Sequence, residues 1–279
     1  MKYKIIGDSC MDLTKELKKD PHYQLIPLTL QVDDQHFVDD DSFDQAAFLK
    51  AAAASPNCPK SACPSPGAFL EAYQNADADM IFVVTLSQHL SGSYNSAVVA
   101  QNMFQQKNTG KKVAVISSDS ASCGETLIGM EIQRLAEKGM SFEEIEAGAR
   151  AFLKEMKTYF VLESLEALRK NGRLTGLQAF FASALNIKPV MGSDSGTIIK
   201  LNQARGIKRA LERMVEIFAQ EVKNPQNKTV AIAHCNCRDR AEYVKQMLEK
   251  KMRFAHVCIM DTAGVSTLYA SDGGIIVCC

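Results

Sequence analysis

The stretch Thr85–Ala97 (TLSQHLSGSYNSA) carries the residue pattern best suited to chemistry. An apolar run ends, a polar loop follows, and Ser91-Gly92-Ser93 leads into a helical pattern. The first N–H groups of a helix lack partners and carry partial positive charge, so such a terminus attracts anions. Gly92 lets a ligand approach the backbone, and the flanking hydroxyls add donors. The ordinary alternative is that Ser91 only caps its helix, and the residues alone weigh the two readings evenly. Ser61, in SACPSPG, is a second hydroxyl ahead of a helix start and by itself reads as a loop residue. Asp8-Ser9 falls where open α/β sheets bind ligands, beyond the carboxyl end of a strand, although Asp8 is better suited to capping the next helix.

Other chemistries find less support. No GxGxxG follows the first strand, and there is no Walker A or GxSxG pattern. His234-Cys235-Asn236-Cys237 gathers soft ligand types, but the paired CxxC spacing of a structural zinc site is absent. Arg169, Lys170 and Arg173, around Gly172, read as a solvated basic cluster.

These residues must be positioned by a globular frame. The chain has 279 residues, which suggests two domains at roughly 150 residues each. Lys plus Arg is 32 and Asp plus Glu is 32, a balance that argues against a nucleic-acid binder. Apolar stretches such as 81–84 and 275–279 are too short to span a bilayer. The opening MKYKIIGDSCMD reads as a first strand, not a signal peptide. Nine cysteines without an export signal indicate a cytosolic protein with reduced thiols.

The first half alternates strands with helices. Strands are expected at 3–7, 24–32, 80–86 and 112–116, with a short helix at 14–20. Ser42 with Gln45 would form a capping box for a helix through Ala54. Ser65-Pro66 would start a helix to about Gln74, and Ser141 with Glu144 one to about Lys157. This spacing implies a mostly parallel sheet with helices on both faces. The second half changes rhythm: a strand at 159–163, short helices at 165–170 and 176–184, then a hairpin of 187–191 and 197–201 about Ser193-Asp194-Ser195-Gly196. A long helix at 207–222, a strand at 229–234, a helix at 238–250 and strands at 253–260 and 274–278 follow. The boundary is placed near residue 157.

Six segments in order resemble the DegV family, the bacterial fatty-acid-binding proteins that serve fatty acid kinase. They are GDSCMDL (7–13), SACPSPGAF (61–69), LSGSYNSA (90–97), LESLEALRKNGRLTGLQA (162–179), LNIKPV (185–190) and the run through Gln203-Ala204-Arg205. The resemblance implies a two-domain α/β fold. An N-terminal parallel-sheet domain (1–157) would carry the carboxylate-binding loops, and a C-terminal mixed or antiparallel α/β domain (158–279) would close a lipid tunnel. It implies a carrier, not an enzyme: one long-chain fatty acid is the ligand, with no cofactor, no metal and no catalytic residue. The carboxylate would be held by Ser61, where the family usually has Thr, and by Ser91 with the Gly92 amide; Ser93 and Tyr269 are further head-group contacts. A partner kinase's catalytic subunit would phosphorylate the bound carboxylate to an acyl phosphate, and Arg173 and Arg205 match family arginines linked to that step. Membrane contact would be transient at most. One departure concerns the C-terminus, where many relatives carry a His before a Gly-rich turn; here Tyr269 or Ala270 falls at that place and Asp272-Gly273-Gly274 replaces the turn.

Two readings from other classes use the same residues. An enzyme transferring a phosphoryl or acyl group on a small anion would need a base beside Ser91, for which His89 is nearest in sequence. A thiol or metal protein would use Cys235 and Cys237.

Overall fold

A computed structural model describes residues 2–107, 110–174 and 186–279. In chain order the first half contains β1 (Tyr3–Asp8), β2 (Tyr23–Ile26), β3 (Thr29–Val32), β4 (Gln35–Val38), α1 (Gln45–Ala54), β5 (Lys60–Ala62) and α2 (Pro66–Asn75). It continues with β6 (Met80–Thr85), α3 (Ser93–Gln105), β7 (Lys112–Ser117), α4 (Cys123–Glu137) and α5 (Phe142–Glu155). Strands β2–β1–β6–β7 form an all-parallel sheet. Successive residues of a strand point to opposite faces. Ile6, Ile81 and Val83 therefore pack on Phe69 and Tyr73 of α2 and Ala97 and Phe104 of α3. Their neighbours Ile5, Phe82 and Val84 pack on Ile128 and Ile132 of α4 and Ile145 of α5. Two covered faces explain why β6 is apolar and buried along nearly its whole length.

The second half contains β8 (Thr158–Val161), α6 (Glu166–Lys170), β9 (Ile187–Asp194), β10 (Thr197–Arg205), α7 (Ile207–Glu221), β11 (Thr229–His234), α8 (Arg238–Lys251), β12 (His256–Asp261), α9 (Gly264–Ala270) and β13 (Ile275–Cys278). Its sheet runs β10–β9–β8–β13–β11–β12; only β11 and β12 pair in parallel. Tyr159, Val161, Ile275 and Val277 face α7 and α8. The alternate residues Phe160, Met191 and Ile198 join a separate cluster on the opposite face. Ala231, Ala233, Cys258 and Cys278 meet Cys123 and Leu127, so α4 packs against both sheets. The architecture is the two-part α/β arrangement read from the sequence, with a parallel N-terminal sheet and a mixed C-terminal one.

Several local expectations need correction. The single strand expected over 24–32 is two strands in different sheets: β2 joins the parallel sheet, whereas β3 pairs antiparallel with β4 and β5. Between them, the Leu28 amide donates to Ser9 Oγ at 3.0 Å instead of continuing a ladder. The helix opening near Ser42 is capped by Asp44, which accepts from the Ala47 amide at 2.9 Å, while Ser42 bonds Asp40. The helix expected at 14–20 is a single 3₁₀ turn at Leu17–Lys19. The short elements β4, β5 and α9 had no clear periodicity. The Ser65 cap and the Ser141–Glu144 capping box are present. The helix expected at 176–184 lies outside the described residues.

Candidate functional site

A cavity of about 820 Å³ of empty space, its open mouth included, lies between the two halves. Its floor is the inner face of the C-terminal sheet, Phe160 of β8, Ile198 of β10 and Ile276 of β13, and period-2 alternation brings these side chains to one face. Leu28, Leu86, Leu90, Leu162, Leu168 and Val265 extend the apolar wall. Ser61, Ser91, Tyr269 and Arg173 line the same cavity. The sequence places them far apart; the fold gathers them.

Each of these four is placed by a local device. Ser61 sits in β5, whose pairing with β3 turns it inward, and its Oγ is 3.0 Å from the Tyr269 hydroxyl. Tyr269 is delivered by α9. The Arg173 guanidinium lies 5.8 Å from the centre of the Tyr269 ring, a cation–π contact. Arg173 Nε donates to the Leu90 carbonyl at 3.1 Å, and the guanidinium also bonds the Asn171 carbonyl. This end of the cavity therefore has a cation on its wall.

Ser91 does not cap α3 in the expected way. Gly92 is the N-cap residue, and Ser91 Oγ accepts the Ser93 amide at 3.2 Å and lies 3.2 Å from Ser93 Oγ. Ser93 is fully buried behind it. The Cα of Gly92 faces the 62–65 loop: a Cβ there would stand 3.0 Å from Cys63 Sγ. A polar surface depression outside the cavity is lined by His89, Tyr94 and Asn171 and shares Ser91 and Arg173 with it. The Ser91–Arg173 region thus faces both an apolar interior and an open polar surface.

Arg205 ends β10 opposite Ile187, is exposed, and is not part of the cavity wall. The His234–Cys237 segment lies elsewhere. His234 is buried with Nε2 3.3 Å from Asp261, its protonation disfavoured by burial. All nine cysteines are free thiols, and no group of three metal-ligating side chains occurs among the described residues.

The sequence reading missed a buried acidic set beneath this wall. Asp8 does not cap a helix. It accepts from the Leu86 amide at 2.9 Å and the Cys10 amide at 3.1 Å, tying the ends of β1 and β6 together. Asp12 accepts from Ser122 Oγ at 2.5 Å and from the Ala263 amide at 2.6 Å. Asp39 takes the Gly264 and Val265 amides at 2.5 and 2.9 Å and Ser9 Oγ at 2.7 Å. Two carboxylates from the first half thus hold the start of α9, whose Val265, Ser266, Tyr269 and Ala270 line the cavity. Burial pushes the Asp8 carboxyl up to about 6 and Asp12 up to about 7, overcoming the opposing hydrogen bonds. It raises Asp39 as well, and Glu125 strongly. Ser122 holds φ +59° and ψ −129°, a conformation costing on the order of 1–3 kcal/mol that its bond to Asp12 helps maintain. One signal was available: 117–122 (SSDSAS) after β7 repeats the strand, serine-rich loop and helix sequence of 85–93.

The model of the DegV family, a family of uncharacterised proteins, matches residues 2–278. A DegV domain-containing protein of Streptococcus pyogenes serotype M1 is 34% identical over 279 residues, covering 99% of this chain and 98% of that protein. The crystal structure of a DegV family protein from Ruminococcus gnavus, refined with vaccenic acid, superposes with a TM-score of 0.96 at 47% identity, covering 99% of both chains. The Streptococcus pneumoniae Fatty Acid Kinase (Fak) B3 protein loaded with linoleic acid gives 0.89 at 32% identity, covering 100% of this chain and 99% of that one.

Proposed function

The chain belongs to the DegV family, and on that premise we propose that it binds one long-chain fatty acid in the cavity between its halves and offers the carboxylate to a partner fatty acid kinase. The observation that carries this reading is the cavity's composition: an apolar floor and walls, with Ser61, Ser91, Tyr269 and Arg173 on the same lining. The fatty acids in the R. gnavus and S. pneumoniae structures support it. The carboxylate is held by the Ser91 and Ser61 hydroxyls and the Gly92 amide, with Ser93 behind Ser91 and Tyr269 orienting Ser61. Arg173, at the boundary with the outer depression, is placed to meet the head group and an incoming phosphoryl group; Arg205 would act only from the partner's side.

The energetics suit this division of labour. About 0.8 kcal/mol per buried methylene gives on the order of 10 kcal/mol for a dozen methylenes, before ordering costs. A carboxylate brought along with them must be fully hydrogen-bonded, or its desolvation would cancel much of that gain. The protein acts as a carrier: the Ser91 hydroxyl is bonded to Ser93, and His89 is exposed. Division at about residue 157 separates the carboxylate loops from the half that supplies the floor.

Mass spectrometry of a solvent extract and of the native protein tests the reading. One fatty acid per chain is expected. Protein that is empty and takes up no added fatty acid would overturn it. Ser91→Ala removes a donor and is expected to weaken retention by about 1–3 kcal/mol, roughly five- to 150-fold; unchanged retention in Ser91→Ala and in the double variant with Ser61→Ala would remove the head-group assignment.

A further inference from the structure

We propose that the buried Asp8–Glu125 carboxyl pair takes up a proton from solvent when a ligand carboxylate docks at Ser91, so that fatty-acid binding by this chain is proton-linked. The inference rests on the reading of the cavity given above. Asp8 and Glu125 are both 0% exposed. Neither oxygen of Glu125 has a hydrogen bond of good geometry. The carboxyl lies against Asp8 and the Cys10 thiol, so it is a polar group withdrawn from water into an acidic cluster.

Two short routes join this pair to the site. Asp8 accepts from the Leu86 amide at 2.9 Å and the Cys10 amide at 3.1 Å, and Leu86 and Cys10 both line the cavity. Cys10 contacts Glu125 and itself lines the cavity. The groups facing the pair are Asp12 and Cys10 from its own loop, Ser93 from α3, and the Leu86 amide. Asp39 stands behind Asp12, and α9 presents the Ser266 hydroxyl to Asp12. Lys18 is the cation that acts on Asp39, and no lysine or arginine is among the groups acting most strongly on Asp8 or Glu125. On the cavity side stand Tyr269 and Arg173.

At an effective dielectric constant of about 20, a second carboxylate on the order of 10 Å away makes a proton on such a pair more favourable by roughly one pH unit. Burial already brings Asp8 to about 6 in the free protein. The bound complex therefore holds more protons than the free protein between about pH 6 and 8. By linkage, affinity falls as pH rises through that interval, by up to about tenfold per unit. The balance is one carboxylate and one solvent proton entering, with no other species released.

Titration calorimetry of the ligand-freed full chain with sub-micellar dodecanoate, at pH 7 in phosphate and in Tris, measures proton uptake from the difference in apparent enthalpy. Uptake of roughly half a proton or more per ligand is expected. Asp8→Asn should at least halve it, because the carboxyl bonded to the cavity-lining Leu86 and Cys10 is then gone; uptake unchanged in this variant would overturn the assignment to the pair. The wild-type comparison decides the matter even if that variant does not fold. Dodecanoate that binds with equal enthalpies in both buffers and a flat affinity between pH 6 and 8 would overturn the proton linkage and leave the cavity reading standing. No binding by wild-type protein at any pH would overturn both.

Discussion

Replacing Asp39 with Ala tests whether the wall that carries Tyr269 is held by a buried carboxylate. Asp39, 3% exposed, receives three donors: the Gly264 and Val265 amides and the Ser9 hydroxyl. The first two are N-terminal N–H groups of α9, which have no partner within the helix. Ser9 Oγ also accepts the Leu28 amide, so its loss of orientation reaches the bend between β2 and β3. A buried donor left without an acceptor costs about 1–3 kcal/mol. Three donors sharing one carboxylate, with partial relaxation, bring the expected loss to about 3–6 kcal/mol, a large part of the roughly 5–15 kcal/mol that separates folded from unfolded chains. At about 2–4 °C per kcal/mol, Tm should fall by about 6–24 °C. Fatty-acid retention should fall with it, because α9 supplies Val265, Ser266, Tyr269 and Ala270 to the cavity. Differential scanning calorimetry and lipid extraction on the same preparations read both quantities. Asp40→Ala is the control, since the Asp40 carboxylate bonds Ser42 in an exposed loop and its loss should leave Tm unchanged. A Tm for Asp39→Ala within about 2 °C of wild type, with normal retention, would refute the claim that this carboxylate anchors α9.

The buried acids also set the sign of the pH dependence of stability. Asp8 at about 6, Asp12 at about 7, and the raised Asp39 and Glu125 all sit above their unfolded values, so the native state binds more protons than the unfolded one from about pH 4 upward. Their stabilisation is present below about pH 4 and is lost as pH rises through about 7, on the order of a few kcal/mol. Urea unfolding at pH 5.5 and 8 should show the higher midpoint at pH 5.5, with the difference reduced in Asp12→Asn; a higher midpoint at pH 8 would contradict it. Gly196 has φ +82°, and a Cβ there would stand 2.5 Å from Ser87 Oγ and 3.1 Å from the Asp119 backbone. Gly196→Ala should therefore destabilise by about 1–3 kcal/mol and disturb the Ser87 hydroxyl bond to the Gly196 carbonyl; an unchanged urea midpoint would show that this hairpin tip is not tightly docked.

Periodicity and local turn chemistry determined much of the frame from sequence alone. The buried run MIFVVT, the Ser65-Pro66 start, the Ser141–Glu144 box and the Ser193–Gly196 hairpin each have a local physical cause, so each could be read without neighbours. Ser61 and Ser91 were marked by residue type and by their place before helices, and the DegV resemblance joined them. Only the tertiary structure decided what those residues face. The switch of chain direction after Ile26, which puts β3 into another sheet and turns Ser61 inward, depends on Ser9 and Asp39 meeting Leu28 across the fold. Tyr269 reaches Ser61 across 208 positions because two aspartates from the other half hold α9. Asp8 looked like a cap because a carboxylate beside a polar loop usually is one. Its role as a buried acceptor for Leu86, 78 residues away, exists only once β1 and β6 lie side by side. Local sequence carries the hydrophobic period and the cap, but burial and charge environment are sums over distant neighbours, and those are properties of the folded chain.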